Sequence, residues 1–163
     1  MAKLDVTRAG GRNILAFLDM LAWSEGTDNP RQKSMNNGYD VIVGGSLFTD
    51  YRDHPRRLIQ LNDKLKSTAA GRYQLLSRYW DVYRVQLKLT KFGPEEQDLV
   101  AIQQIKEQKA FKLIQQGKIQ EAIACCSNIW ASLPGAGYGQ HEQKMSTLIT
   151  IYKSKGGVLS TSI

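Results

Sequence analysis

The amino-acid sequence predicts an α+β fold in which a mainly helical lobe and a small β-containing lobe enclose a cleft. Two observations carry this prediction. Apolar residues recur at helical spacing before residue 26 and over most of the chain beyond residue 75, whereas residues 26–75 are rich in turn-forming residues and short apolar runs. The length of 163 residues, of which 42% are hydrophobic, suits one domain spanning residues 1–163 with a sizeable core.

The first helix is predicted over about residues 11–25, after a polar, loop-like start. Its buried stripe comprises Ile14, Phe17, Leu18, Leu21 and Ala22. Glu25 follows Leu21 by four residues and so continues this stripe to the rim of the core, and Gly26 suits the left-handed residue that ends a helix. Partial burial and the negative end of the helix dipole both favour the uncharged carboxyl, so they raise the pKa of Glu25. A general acid needs such a pKa near neutral pH, although a Glu at a helix end is by itself more often an ordinary surface residue.

Residues 26–75 are predicted to form the small β lobe. A loop over 26–38 leads to a strand over 39–43, a turn at Gly44-Gly45 and a returning strand over 46–49. His54-Pro55 interrupts this pattern, residues 57–61 are ambiguous, and residues 67–74 read as an irregular or strand-like approach to the next helix.

The remainder of the chain is predicted to be helical. The pattern indicates helices over about 76–87, from Gly93-Pro94 onward, around Phe111, from 119 toward 130, and from Met145 to the Gly156-Gly157 pair. Residues 133–140 form a glycine-rich loop, and the tail to residue 163 is expected to fray.

Composition bounds the function without fixing it. The 22 Lys and Arg residues against 15 Asp and Glu give a net charge of +7, which favours an anionic partner such as nucleic acid, a membrane surface or an acidic wall polymer. Cys125 and Cys126 are adjacent, and His54 and His141 have no ligand-type residue at suitable spacing, so neither a disulfide framework, nor a metal site, nor a cofactor is predicted.

No signal peptide is visible, and the apolar run over 14–23 contains Asp19 and is too short to span a bilayer. We therefore expect a chain that is made and kept soluble in a cytoplasm, without stable insertion into a membrane.

Three non-helical stretches place polar or aromatic residues beside glycines. They are Ser24-Glu25-Gly26, Gly71-Arg72-Tyr73-Gln74 and Gly135-Ala136-Gly137-Tyr138-Gly139-Gln140. Glycine allows the backbone to approach a ligand, a Tyr ring stacks on a sugar face, and Gln both donates and accepts hydrogen bonds. Together with one central carboxylic acid, these stretches suggest cleavage of a polysaccharide.

Beyond these motifs, the sequence closely resembles phage endolysins that are lytic transglycosylases of the lysozyme-like superfamily. The runs that carry the resemblance are residues 16–29, 38–45, 47–51, 71–78 and 126–140, which include the three glycine-bearing stretches. The resemblance covers about residues 14–157. It implies a lysozyme-like fold and cleavage, without water, of the bond between N-acetylmuramic acid and N-acetylglucosamine.

Site residues and partners are also implied by this resemblance. Glu25 would serve as acid and then base, and Gly71, Tyr73, Gln74 and Tyr138 would line the sugar subsites. The partner is the glycan strand of peptidoglycan rather than nucleic acid, and the chain is expected to act as a monomer. A holin-type pore would release it from the host cytoplasm to the periplasmic wall.

A single acid suits a transglycosylase, because the C6 hydroxyl of the muramic acid can attack C1 in place of water. The other candidate carboxylates, Asp28, Asp40 and Asp50, are interpreted as structural or turn-forming. Two alternatives remain open. One is a hydrolytic muramidase on the same fold, in which Asp28 or Asp40 helps a water molecule, and the other is a non-catalytic basic protein that binds wall polymer or nucleic acid.

Overall fold

The computed structural model describes residues 1–139 and 141–161. The helices of this part of the chain are α1 (Val6–Ala9), α2 (Arg12–Ser24), α3 (Ser77–Gln86), α4 (Pro94–Glu107), α5 (Phe111–Gln115), α6 (Ile119–Cys126) and α7 (Met145–Ser154). Its two strands are β1 (Ile59–Gln60) and β2 (Lys66–Ser67). The mainly helical architecture with one small sheet agrees with the predicted α+β class, and each predicted helix is present within a few residues of its expected position.

Helix α2 is the central element of the larger lobe. It contacts α1, α4, α5 and α7, and the residues of the predicted apolar stripe are all buried. Met20 and Ala16, on other faces, are buried as well, because a helix surrounded by neighbours needs apolar residues on most of its circumference. Packing against several neighbouring helices therefore fixes the position of the C-terminal end of α2, where Glu25 lies.

The predicted hairpin over residues 39–49 is wrong as a pair of strands. This segment makes a tight turn with a single bridge between Val41 and Leu47, and a second bridge joins Ile42 to Ala70. The side chains from Tyr39 to Ile42 are all buried, so this segment packs on both faces instead of alternating between core and solvent. The described sheet is instead the antiparallel β1–β2 pair, with Ile59 opposite Ser67.

A second apolar cluster joins the small lobe to α3, to α4 and to the segment between these two helices. Its buried members are Ile42, Phe48, Ala70, Leu75, Trp80, Phe92 and Val100. The rings of Trp80 and Phe92 pack edge to face with centroids 4.9 Å apart, a favourable geometry for aromatic pairs. Tyr51 packs against both this cluster and the larger core around α2, so the two lobes share a boundary.

Both ends of the described chain are better anchored than the sequence predicts. At the start, Ala2 and Leu4 are buried, and the backbone amides of Lys3 and Leu4 each donate to Asp98 Oδ2 at 2.9 Å. Toward the other end, the Ser160 amide donates to the Gly117 carbonyl at 3.1 Å, so the expected fraying is wrong for this part of the tail. Ser162 and Ile163 lie outside the described residues. No helix in the described ranges is long and apolar enough to cross a membrane.

Candidate active site

Glu25 caps the C-terminus of α2. Its amide donates to the Leu21 carbonyl at 2.8 Å, and Gly26 follows with φ of +79°, the left-handed conformation that glycine adopts without strain. The Thr27 amide then donates back to the Ala22 carbonyl at 3.0 Å and closes the helix end. These bonds place the part-buried Glu25 side chain at the rim of the core, as the apolar stripe predicts.

The surroundings of Glu25 favour its protonated form. Burial raises the pKa of the carboxyl from its ordinary 4.5 to about 7, although the hydrogen bond from the Ser132 hydroxyl lowers it. Burial alone accounts for the rise, so the helix dipole invoked from the sequence is not needed. At neutral pH the carboxyl is divided between acid and base forms, which suits a group that gives up a proton and then takes one back.

Two serines lie beside Glu25. The Ser132 hydroxyl donates to Glu25 Oε2, and the Ser24 and Ser132 hydroxyl oxygens are 2.7 Å apart. Ser24 belongs to α2 and is buried, whereas Ser132 precedes the glycine-rich loop 107 residues after Glu25. Ser132 lies in one of the runs that carry the family resemblance, but its contact with Glu25 is not predicted from the sequence, because a serine without adjacent glycines gives no local signal of contact with an acid.

The other candidate carboxylates have structural partners. Asp28 Oδ2 accepts from Arg72 Nη2 at 3.0 Å, and Asp40, which is buried, accepts from the Ser34 hydroxyl and from the Met35 amide. Asp50 is solvent-exposed, and Arg52 Nη2 donates to it at 2.8 Å. Their roles as turn and ion-pair residues leave Glu25 as the candidate proton donor among these acids.

A buried polar layer supports the corner that carries Glu25. Arg72, which is fully buried, donates through Nη2 to Asp19 Oδ1 at 2.8 Å as well as to Asp28. Its carbonyl accepts from the Thr27 hydroxyl, so the turn after Glu25 is bonded directly to the 71–74 segment of the small lobe. Because buried ion pairs and their hydrogen bonds have strict geometric requirements, this layer holds the two sides of the site in one arrangement.

Two of the predicted sugar-site residues face the interior. A Cβ at Gly71, where φ is +84°, would lie 2.5 Å from Gln97 Oε1, so glycine is required for packing at this position. The buried Tyr73 hydroxyl donates to Asp98 Oδ1 at 2.6 Å and accepts from Arg72 at 2.9 Å. The prediction that Tyr73 lines a subsite is therefore corrected, because a ring held in the core cannot stack on a sugar.

The other two predicted residues are more accessible. Gln74 is part-buried, and its φ of +54° is uncommon for a residue with a side chain. The side-chain nitrogen Nε2 of Gln74 donates to the Gly71 carbonyl at 2.9 Å. Tyr138 is 56% exposed, and its hydroxyl donates to the Asn128 carbonyl. Its loop is shaped by Glu142, which accepts from the amides of Gly135 at 2.9 Å and Gly137 at 3.0 Å. Gln140 lies outside the described residues.

Comparisons with known proteins show the family of this chain. The family model described as Endolysin matches residues 15–159. The chain is 68% identical over 144 residues to the endolysin of Escherichia phage lambda, an alignment that covers 88% of this chain and 91% of that protein. The chain belongs to the endolysin family. The endolysin of Escherichia phage P2 is 52% identical over 157 residues, with 90% of this chain and 94% of that protein covered. Endolysins are peptidoglycan-degrading enzymes of cell lysis.

Solved structures show the same fold. A structure of bacteriophage lambda lysozyme in complex with a chitohexasaccharide superimposes with a TM-score of 0.89 at 63% identity, over 98% of this chain and 99% of the other. A second lambda lysozyme structure gives a TM-score of 0.86 at 60% identity, with the same coverage. The lysozyme-like α+β fold predicted from the sequence is thereby confirmed.

Among residues 1–139 and 141–161, no three His, Cys, Asp or Glu side chains are close enough together to hold an ion. Several basic residues between positions 50 and 72 form ion pairs within the protein. Arg52 pairs with Asp50, Arg56 pairs with Asp53 and Asp81, and the buried Arg72 pairs with Asp19. This reduces the free positive charge available to a nucleic acid.

Proposed function

We propose that this endolysin is a lytic transglycosylase that cleaves the β-1,4 bond between N-acetylmuramic acid and N-acetylglucosamine and leaves 1,6-anhydromuramic acid ends. The observation that carries the proposal is a single carboxyl, Glu25, whose burial raises its pKa to about 7, while Asp28, Asp40 and Asp50 are occupied by structural partners. Hydrolytic glycosidases of the common kind use two carboxyl groups, one of them to activate water or to attack the sugar.

The reaction balances with one acid and no water. Protonated Glu25 gives its proton to the glycosidic oxygen as the bond from that oxygen to muramic C1 breaks. The C6 hydroxyl of the same sugar forms the new bond to C1, and its proton passes to the Glu25 carboxylate. The enzyme thus returns to its starting form. Because the nucleophile belongs to the same sugar, much of the entropy needed to position it is already spent.

The similar lambda lysozyme structure with a bound chitohexasaccharide supports glycan strands as the substrate. On this chain we assign the exposed ring of Tyr138 and the side-chain oxygen of Gln74 to sugar contacts, and Gly71, whose carbonyl accepts from Gln74 Nε2, to shaping the backbone that carries Gln74. We further propose that a monomer acts on the periplasmic wall, after a holin-type pore has released it from the host cytoplasm.

Product analysis in heavy-oxygen water tests the reaction type. A transglycosylase leaves the released muropeptides unlabelled, lighter by one water than hydrolysed ones and resistant to borohydride reduction. Incorporation of heavy oxygen at muramic C1 would contradict the proposal and support a hydrolytic muramidase. Asp28, whose side chain is 30% exposed, would then be the first residue to substitute. A protein that binds purified wall but releases no fragments would instead support the non-catalytic alternative.

A further inference from the structure

The two serines beside Glu25 form a chain of hydrogen bonds that ends on its carboxyl. Ser24 Oγ lies 2.7 Å from Ser132 Oγ, and Ser132 Oγ donates to Glu25 Oε2. Ser24 is only 4% exposed, and no other hydrogen-bond partner of its hydroxyl is found within residues 1–139 and 141–161. A buried hydroxyl with a single neighbour has to satisfy its donor there.

Counting protons fixes the direction of the chain. Each serine hydroxyl carries one hydrogen. Ser24 uses its hydrogen toward Ser132, so Ser132 has its own hydrogen available for Glu25 Oε2. If Glu25 were protonated on Oε2, that proton would point at Ser132, and the hydrogen of either Ser24 or Ser132 would be left without an acceptor among these three groups. The proton of the acid form is therefore favoured on Oε1.

We propose that Ser24 and Ser132 are positioning residues that hold Glu25 Oε2 as a hydrogen-bond acceptor and so keep the reactive proton on Oε1. This inference rests on the proposed function in one respect, that Glu25 is the acid and base of the cleavage. The Oε1 proton passes to the leaving oxygen, and Oε1 takes the proton of the attacking hydroxyl. Ser132 remains a donor throughout and stabilises the carboxylate between the two transfers.

The charged side chains near Glu25 have other partners, so the serines are the groups that hold its carboxyl. Asp28, three residues after Glu25, pairs with Arg72, and Glu142, on the loop side of the site, binds the amides of Gly135 and Gly137. No cation forms an ion pair with Glu25 in the described ranges. The hydrogen bond from the Ser132 hydroxyl opposes the effect of burial on the Glu25 pKa, so the loss of this bond is expected to raise the pKa further.

Substitution of Ser132 gives the most direct test. On soluble glycan strands, Ser132→Ala is expected to lower kcat about tenfold with little change in KM, and to shift the alkaline limb of the pH profile upward by about one unit. Ser132→Thr keeps the hydroxyl and is expected to retain the wild-type profile. Ser24→Ala is expected to shift the alkaline limb of the pH profile upward as well, but by less than Ser132→Ala does. Ser127→Ala is the matched control, because the Ser127 hydroxyl bonds only locally, to the Ala124 carbonyl.

A measurement independent of activity completes the test. Carbon-13 NMR of labelled glutamate side chains, with Glu25→Gln to assign the signal, follows the titration of Glu25 directly. An unchanged Glu25 titration in both Ser132→Ala and Ser24→Ala would overturn the inference. If Ser132→Ala does not fold, as judged by its thermal melt, the Ser24→Ala titration decides alone. The proposed function fails separately, by full activity of Glu25→Gln or by heavy oxygen in the product.

Discussion

At the scale of single residues, the site depends on a part-buried carboxyl, Glu25, that has no ion-pair partner among residues 1–139 and 141–161. Exposed carboxylates of the chain behave differently: the Arg52 side chain lowers the pKa of Asp50 to about 2, whereas burial raises the pKa of Glu25 to about 7. Environment therefore separates the roles of chemically similar groups. Such a carboxyl also affects stability, because the folded state binds its proton more tightly than the unfolded chain does.

The substitution Glu25→Gln is predicted to abolish wall cleavage while stabilising the protein above neutral pH. Between the ordinary pKa of 4.5 and the folded pKa of about 7, rising pH deprotonates the unfolded chain first and so destabilises the wild type. The glutamine variant lacks this penalty and should exceed the wild type by on the order of 3 kcal/mol in free energy of unfolding at pH 8. At pH 4 the two should agree. Denaturant titrations at both values measure this, and equal stability at pH 8 would contradict the raised pKa.

At the scale of elements, the glycine-rich loop before α7 is held by a side chain rather than by a packed core. A Cβ added at Gly135, Gly137 or Gly139 would meet nothing within 4 Å, and all three residues have positive φ. Glu142 supplies two hydrogen bonds to the loop amides, and these same bonds lower the pKa of its carboxyl. The loop therefore presents Tyr138 to solvent from a backbone shape that other residues would strain.

Removal of this support is predicted to affect cleavage more than folding. Glu142→Ala should lower kcat/KM on glycan strands several-fold and leave the melting temperature within a few degrees of the wild type, because the loop adds little to the core. Tyr138→Ala should lower kcat/KM about tenfold through the loss of a stacking surface. Glu121→Ala, which removes the same charge from an exposed position on α6, is the control. Early melting of both loop variants with normal activity of their folded fraction would mark the loop as structural only.

At the scale of the whole molecule, two apolar cores meet at a layer of buried charge. Arg72 comes from the small lobe, Asp19 from the middle of α2 and Asp98 from α4. Asp98 accepts from the hydroxyls of Tyr39 at 2.8 Å and Tyr73 at 2.6 Å, and from backbone amides of the first residues. The layer thus joins the start of the chain, the central helix and the small lobe beneath the site.

Arg72→Met is predicted to lower the free energy of unfolding by about 3–5 kcal/mol, because it leaves the buried Asp19 with only the N-terminal ammonium, 3.9 Å away, in place of the Arg72 guanidinium at 2.8 Å. Adding Asp19→Asn should recover part of the loss, since it removes the buried charge that Arg72 no longer neutralises. Arg57→Met, at an exposed surface position, should change stability by less than about 0.5 kcal/mol. Chemical denaturation of the four proteins, wild type included, measures these differences. A loss in Arg72→Met as small as in the control would show that the buried pair contributes no net stability.

The sequence by itself determined the features that depend on neighbours along the chain. Helical spacing located α2, and the continuation of its stripe put Glu25 at the rim of the core, because side chains three and four residues apart share a helix face. Only the tertiary structure decided which distant groups meet. Ser132 contacts Glu25 although 107 residues separate them along the chain. Tyr73 is buried in the core, although its glycine-bearing segment has the composition of a solvent-exposed loop. A tyrosine suits either a core or a sugar site, because its ring favours burial and its hydroxyl needs a hydrogen-bond partner. The fold decided for the core by placing Asp98 and Arg72 within hydrogen-bond distance of the Tyr73 hydroxyl.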